Sequence, residues 1–339
     1  MSELPAPHER EFIVGRAEEE ARLRASLASG ALSNGWLITG AKGAGKATLA
    51  YRLARALLEP EALSEPVSLQ VPKEARVFRF IAGRAHPDLF VAEREYDEKN
   101  ERYATEISVE TIRKLNAFLN RTASAGGWRV AIVDSADDLN RNAANALLKS
   151  LEEPPPKTAI LLVANAPGRL LATIRSRCRR IDLRPVPSTD IMNLLESELG
   201  LAGEEAARLA EAAKGLPGLA LSLAAGEGAD AVTAASAFLG AARAGDDVGR
   251  LASALSGRQA SEKWDVFQRI ILESLSDAAR AAACGDETGL ASLGAQALLD
   301  AHQSISTLFA RGEAVNADRA QMLAAAARII RAAAKGRAA

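Results

Sequence analysis

At 339 residues, with 48% hydrophobic and 25% charged residues, the chain is long enough for two or three domains with sizeable cores and has an ordinary soluble composition. A net charge of −1 excludes polyanion binding through bulk charge, although not through a local patch. The two cysteines, Cys178 and Cys284, stand in no metal-ligand spacing, and with no secretory leader or bilayer-length apolar run the expected compartment is the cytoplasm, without membrane attachment.

In chain order, residues 1–12 read as a loose arm, and Ile13-Val14-Gly15-Arg16 precedes a helical segment from Ala17 to Leu27. Ser33-Asn34-Gly35 reads as a turn before a strand, Trp36 to Thr39. Then comes Gly40-Ala41-Lys42-Gly43-Ala44-Gly45-Lys46, and a helix that Glu59-Pro60 stops near Leu58. Residues 60–105 give little pattern beyond a strand at Asp88–Val91, entered through His86-Pro87, and a mixed-charge run from Glu93 to Arg102. A lone histidine there reads as structural.

Ser108 is placed to cap a helix through Asn120, with Val109, Ile112, Leu115, Phe118 and Leu119 on one side. Gly126-Gly127 breaks the pattern. Trp128 to Val133 and Thr158 to Val163 are apolar runs without alternation, as strands buried on both faces of a parallel sheet are. Between them a helix from Asn140 to Leu151 ends at Glu152-Glu153-Pro154. Alternation of strand and helix predicts an α/β sheet covered on both faces. After residue 185 strands give way to short helices at 188–199, 204–214 and 216–225. Alanine-rich amphipathic helices follow at roughly 229–243, 246–256, 260–283, 287–311 and 316–335. No heptad is sustained, so a packed bundle is expected rather than a coiled-coil stalk.

The glycine-rich segment carries the first chemistry. Gly40, Gly43 and Gly45 let backbone N–H groups close on an anion, the helix start adds partial positive charge, and Lys46 can reach outer phosphates. A ligand-free glycine turn is the alternative, and the strand–loop–helix setting argues against it. Where Ser or Thr should follow Lys46 to hold Mg²⁺, Ala47 stands. Thr48 is a candidate contact but lies about 100° further round the helix, so it does not simply replace the missing ligand. Asp134 ends a buried strand, where such proteins keep a carboxylate for Mg²⁺, although capping the turn is its other reading. The residue after it, often a water-polarising Glu, is Ser135, a poor general base. From Arg169 to Arg184 six arginines face one acid, Asp182, which by composition is either basic solvated surface or a phosphate-binding patch.

Val14-Gly15-Arg16, the phosphate loop, His86 to Leu89, Asn145 to Pro155 (NALLKSLEEPP) and Arg169 to Arg179 occur in one order over some 170 residues. Through them the chain resembles the bacterial clamp-loader subunits of the AAA+ family, in particular those of delta-prime type. The resemblance implies an α/β P-loop AAA+ domain over residues 1–185, a small helical lid over 186–228 and an all-α collar for oligomerisation over 229–339. It implies partners as well: ATPase subunits of gamma or tau type and a delta-type subunit in a hetero-pentamer that places a sliding clamp on primer-template DNA. In that family an arginine of a Ser-Arg-Cys motif, here Arg177, reaches the ATP site of the adjacent subunit, where a guanidinium neutralises charge on the γ-phosphate.

Departures matter equally. Ala47, Ser135 and Gly215-Leu216-Pro217-Gly218-Leu219, where active relatives keep a sensing arginine, imply a subunit that does not hydrolyse ATP itself but serves a DNA polymerase holoenzyme. Weak ATP or ADP binding stays open and no cofactor is required. Residues 59–105 hold no cysteine, so the four-cysteine zinc module of many relatives is not expected. Two rival readings are an active AAA+ ATPase subunit of a clamp or helicase loader, and a DNA-binding protein working through the arginine segment.

Overall fold

Five parallel strands organise the first part of the chain: β1 (Gly35–Gly40), β2 (Leu89–Ala92), β3 (Arg129–Asp134), β4 (Thr158–Ala164) and β5 (Arg179–Leu183). Their spatial order is β2-β3-β4-β1-β5. The computed structural model describes residues 4–29, 32–97, 102–124, 127–225, 229–255, 260–286, 288–314 and 317–335, in two compact units, Met1–Leu221 and Ser222–Ala339. β4 is buried at every position because strands flank it on both edges and helices cover both faces, which is why its sequence is an unbroken apolar run.

The covering helices are α1 (Ala17–Ala28), α2 (Lys46–Leu58), α3 (Val109–Leu119) and α4 (Arg141–Glu152). Ser108 caps α3 by accepting the Thr111 N–H at 3.2 Å, and Asn140 caps α4 by accepting the Ala143 N–H at 2.9 Å. Ile112, Leu115 and Leu119 of α3 and Leu147 of α4 join Ala131, Val133, Ile160 and Leu162 of the sheet in one core. Each such large aliphatic side chain contributes about 1.5–3 kcal/mol by leaving water. Helices α5 (Ser188–Leu199) and α6 (Gly203–Ala212) and the start of α7 (Pro217–Ala224) complete this unit. The Val186 N–H donates to the Gly215 carbonyl at 2.9 Å, tying them to the chain leaving β5.

The second unit is helical: α8 (Ala229–Ala244), α9 (Ala260–Ala283), α10 (Ala295–Ala314) and α11 (Arg319–Lys335), with a one-turn helix at Leu251–Ala254. Trp264 stacks on Phe267 at 5.4 Å and meets Phe309 edge-on at 5.5 Å, while Phe238 meets Phe267 at 5.5 Å. Periodic aromatic positions on alanine-rich helices therefore make a packed bundle. Among the described residues no helix is long and apolar enough to cross a membrane.

Several expectations need correction. Residues 4–12 are not a loose arm. Buried Arg55 donates to the carbonyls of His8 (2.5 Å) and Arg10 (2.7 Å), and buried His8 lies against Tyr51 with ring centroids 5.6 Å apart. Strand β5 lies inside the arginine segment, where no strand was expected: it is an edge strand whose apolar alternation is confined to Ile181 and buried Leu183, with charged residues around them. The helix expected at 246–256 shrinks to Leu251–Ala254. The one expected from 287 begins only at Ala295, after a 3-10 turn at Gly289–Leu293 and Gly294 at φ +86°. Residues 60–105 contain a helix at Arg76–Ala82 and a short antiparallel pair of strands, Tyr96–Asp97 with Arg102–Tyr103, besides β2. Residues 1–3 of the arm, 98–101 of the mixed-charge run, Gly126, and positions 256, 287 and 316 at expected helix ends lie outside the described residues.

Candidate functional site

The loop between β1 and α2 has the backbone that its glycines predict. Gly43 and Gly45 sit at φ +89° and +93°, and Gly45 is the N-cap of α2. Gly40, at φ +145°, has no room for a side chain, since a Cβ there would lie 2.6 Å from the Leu183 carbonyl oxygen. Lys46 is only 5% exposed. Its Nζ donates to the carbonyls of Gly40 (2.9 Å) and Ala41 (2.7 Å), so the ammonium is turned onto its own loop. Burial pushes its pKa down to about 8, against the opposing pull of Asp134 and Asp137. Thr48 is buried in the first turn of α2.

Sheet order brings Asp134 to this loop, because β4 alone separates β3 from β1. Desolvation raises the Asp134 pKa, partly offset by the Ser135 hydroxyl, which donates to it at 3.4 Å, and by Lys46. Just past β4, Asn165 gathers this end of the sheet: its amide nitrogen Nδ2 donates to Ser135 Oγ at 3.0 Å, and its backbone N–H donates to Asp137 at 3.0 Å. Asp137 also accepts the Ala166 N–H at 3.2 Å. The sequence reading missed Asn165. Its signal is a polar residue closing an apolar strand that the topology sets between β1 and β3, and that neighbourhood is invisible before the strand order is known.

Two further clasps hold the loop. Buried Arg16 donates through Nη2 to the carbonyls of Ala44 (3.0 Å) and Arg184 (2.7 Å), which joins the loop to the end of β5. From the other side the Gly218 N–H, at the start of α7, donates to the Gly43 carbonyl at 2.8 Å. The Gly215 to Leu219 run thus meets the phosphate loop directly, through backbone rather than through a sensing side chain.

Arg177 lies elsewhere, beyond the short helix Ala172–Arg175 and before β5. It is not buried against its own chain: its side chain is 36% exposed and pairs with Glu152, the last residue of α4, at 2.7 Å. Cys178, next to it, is half-buried, and desolvation pushes its thiol up to about 11, so it is a packed group rather than a nucleophile.

At the position after Lys46, where a hydroxyl would hold a magnesium ion, Ala47 offers none. Among the described residues no group of three or more His, Cys, Asp or Glu side chains could hold a metal ion.

A family model described as "DNA polymerase III, delta subunit" matches residues 15–187, just over half of the chain. DNA polymerase III subunit delta' of Pseudomonas aeruginosa is 40% identical over 146 residues, 43% of this chain and 42% of that protein, so the match spans under half the length of that relative. The Escherichia coli delta' subunit is 30% identical over 254 residues, 75% of this chain and 73% of its own length. The tau subunit of the same organism is 32% identical over 240 residues, 67% of this chain and 35% of its own. The matched segment contains the phosphate loop, Asp134, Asn165 and Arg177, and it begins at Gly15, beside the arginine that clasps the loop. The chain therefore belongs to the DNA polymerase III delta subunit family, among its delta' members.

Proposed function

We propose that this chain is a non-hydrolysing subunit of a clamp loader. It assembles with gamma- or tau-type ATPase subunits and a delta-type subunit in a hetero-pentamer that opens a sliding clamp and places it on primer-template DNA. Its helical unit serves as the collar. Arg177 enters the ATP site of the adjacent ATPase subunit, where it offsets charge developing on the γ-phosphate. This reading extends the AAA+ domain resemblance to a role in the cytoplasmic replication machinery.

One observation carries the reading. Lys46 and Asp134 converge as in a nucleotide site, yet the ammonium is taken by the Gly40 and Ala41 carbonyls, and Ala47 and Ser135 stand where the metal hydroxyl and the base would be. A site built this way lacks the charge stabilisation and water activation that phosphoryl transfer needs. Arg177, by contrast, is at the surface.

The test is turnover. The isolated chain is expected to hydrolyse ATP at background, whereas Arg177→Ala in the reconstituted complex lowers hydrolysis at its one interface without dissociating the subunits. Fingers of this kind are worth about 10³–10⁵ in rate where they act alone. Brisk turnover by the lone chain would favour the rival, an active loader ATPase.

A further inference from the structure

Arg177 is not a loose side chain on an open surface. Its Nη2 meets Glu152 Oε1 at 2.7 Å, while its Nη1 donates to the Thr173 carbonyl at 3.0 Å and to Ser176 Oγ at 3.4 Å. A guanidinium has five N–H donors in one rigid plane. Three acceptors on two nitrogens fix that plane, and they leave the Nε–H and one Nη2–H without an acceptor among the described residues. The backbone beneath is equally constrained. A Cβ on Gly35 would lie 3.3 Å from the Arg177 carbonyl oxygen and 3.1 Å from Leu151 Cδ2, so the glycine opening β1 lets the Arg177 backbone and the end of α4 close on the same spot.

Glu152 is 46% exposed and Arg177 is 36% exposed. Pairs this wet add little to stability, so the contact is better understood as orientation than as structural cement. It is also weak enough to yield or share the guanidinium when a more highly charged polyphosphate arrives in a closed interface that excludes water.

We propose that Glu152 is a positioning residue: it holds the Arg177 guanidinium oriented outward, with donors unspent, for the γ-phosphate of a nucleotide on the neighbouring subunit. The inference rests on the trans-arginine reading above. Four rotatable bonds are ordered before the subunits meet, so less entropy is lost when the phosphate is engaged.

The test uses the complex reconstituted with gamma- or tau-type ATPase subunits and a delta-type subunit. ATP hydrolysis is followed against ATP concentration for the wild type, Glu152→Gln, Glu152→Ala, Arg177→Ala and the double variant Glu152→Ala/Arg177→Ala, with assembly checked by gel filtration. Glu152→Ala is expected to lower the kcat of the one site that Arg177 serves about two- to fivefold with KM unchanged, the span of an exposed ion pair. Glu152→Gln, whose amide oxygen still accepts from Nη2, stays within about twofold of wild type. The double variant matches Arg177→Ala alone, because orienting an absent side chain does nothing. Normal hydrolysis by Arg177→Ala sinks the trans-arginine reading itself. An impaired Arg177→Ala beside a Glu152→Ala variant that equals or exceeds wild type, or a double variant slower than Arg177→Ala, overturns the role of Glu152 alone. In the isolated chain, ¹⁵N relaxation of the Arg177 Nε–H group gives a second readout. It is rigid in the wild type and Glu152→Gln and mobile in Glu152→Ala. Equal mobility in all three overturns the proposal even if a complex fails to assemble.

Discussion

The N–H of Gly218 donates to the carbonyl of Gly43 at 2.8 Å, which closes the first turn of α7 onto the phosphate loop. The approach depends on both residues lacking a side chain. A Cβ on Gly218 would lie 3.0 Å from Gly43 Cα, and one on Gly43 would lie 3.1 Å from the Leu219 nitrogen. Gly218→Ala is therefore expected to push the two backbones apart at a cost of about 1–3 kcal/mol, typical of an overpacked contact. Thermal unfolding checks it, with Gly168→Ala as control, since nothing lies within 4 Å of a Cβ built there. An unshifted Tm in Gly218→Ala would show that the clasp has slack.

Lys46 predicts a pH dependence. Its folded pKa of about 8 lies below the ordinary 10.5 because burial disfavours the charged form, while Asp134 and Asp137 oppose the shift and Lys42 adds to it. Between those values the unfolded chain binds more protons than the folded one, so stability rises with pH through this window. Relative to Lys46→Met, the wild type should gain about 3 kcal/mol between pH 8 and pH 10.5. Urea titrations of both proteins across that range measure the difference. Parallel curves would mean that the ammonium is better solvated than its burial implies.

Ala47 isolates the metal question. Ala47→Thr restores a hydroxyl at the position that follows the phosphate-loop lysine, and it should strengthen Mg·ATP binding about tenfold, the worth of one added ligand of about 1.4 kcal/mol. Hydrolysis by the isolated chain should stay at background, because Ser135 still supplies no general base. Fluorescent-nucleotide titration with and without Mg²⁺ reads the first effect and phosphate release the second. A variant that binds no better shows that Lys46, held by the Gly40 and Ala41 carbonyls, and not the missing hydroxyl, limits the site.

The N-terminal segment is anchored through charge. Arg52 in α2 pairs in two places with Glu20 of α1, Nε to Oε1 at 2.5 Å and Nη2 to Oε2 at 3.1 Å, and it also donates to the Glu11 carbonyl. Both side chains are buried. Arg52→Ala leaves the Glu20 carboxylate without its counter-charge and should cost about 3–5 kcal/mol. Arg52→Leu with Glu20→Leu should recover much of it, because two apolar residues leave no charge stranded. Urea unfolding of the single and double variants decides. A double variant no better than Arg52→Ala alone would place the cost in the arm rather than in the stranded charge.

The buried strands β3 and β4, the capped helices α3 and α4 and the phosphate loop were legible in the residues, because each rests on a local rule: an unbroken apolar run, a Ser or Asn before a helical period, glycines ahead of a lysine. The motifs also sufficed to place the chain in its family. Strand β5 was not legible, since its only apolar signal is the pair Ile181 and Leu183, too short an alternation to stand out among the arginines around it. The arm was misjudged for a related reason: Arg52 and Arg55 look like surface charges until a fold folds them inward onto carbonyls and Glu20.

The sequence by itself determined which groups are available: a phosphate loop with Lys46, an acid at Asp134, no hydroxyl at Ala47, no acid at Ser135 and an arginine at 177. Only the tertiary structure decided what those groups meet, because hydrogen bonds and ion pairs between residues far apart in the chain follow from strand order and helix packing. It turned Lys46 onto its own loop, set Asn165 against Ser135 and Asp137, and seated Gly218 on Gly43. It also put Glu152 beside Arg177, since the end of α4 and the approach to β5 converge on the start of β1, where Gly35 leaves them room.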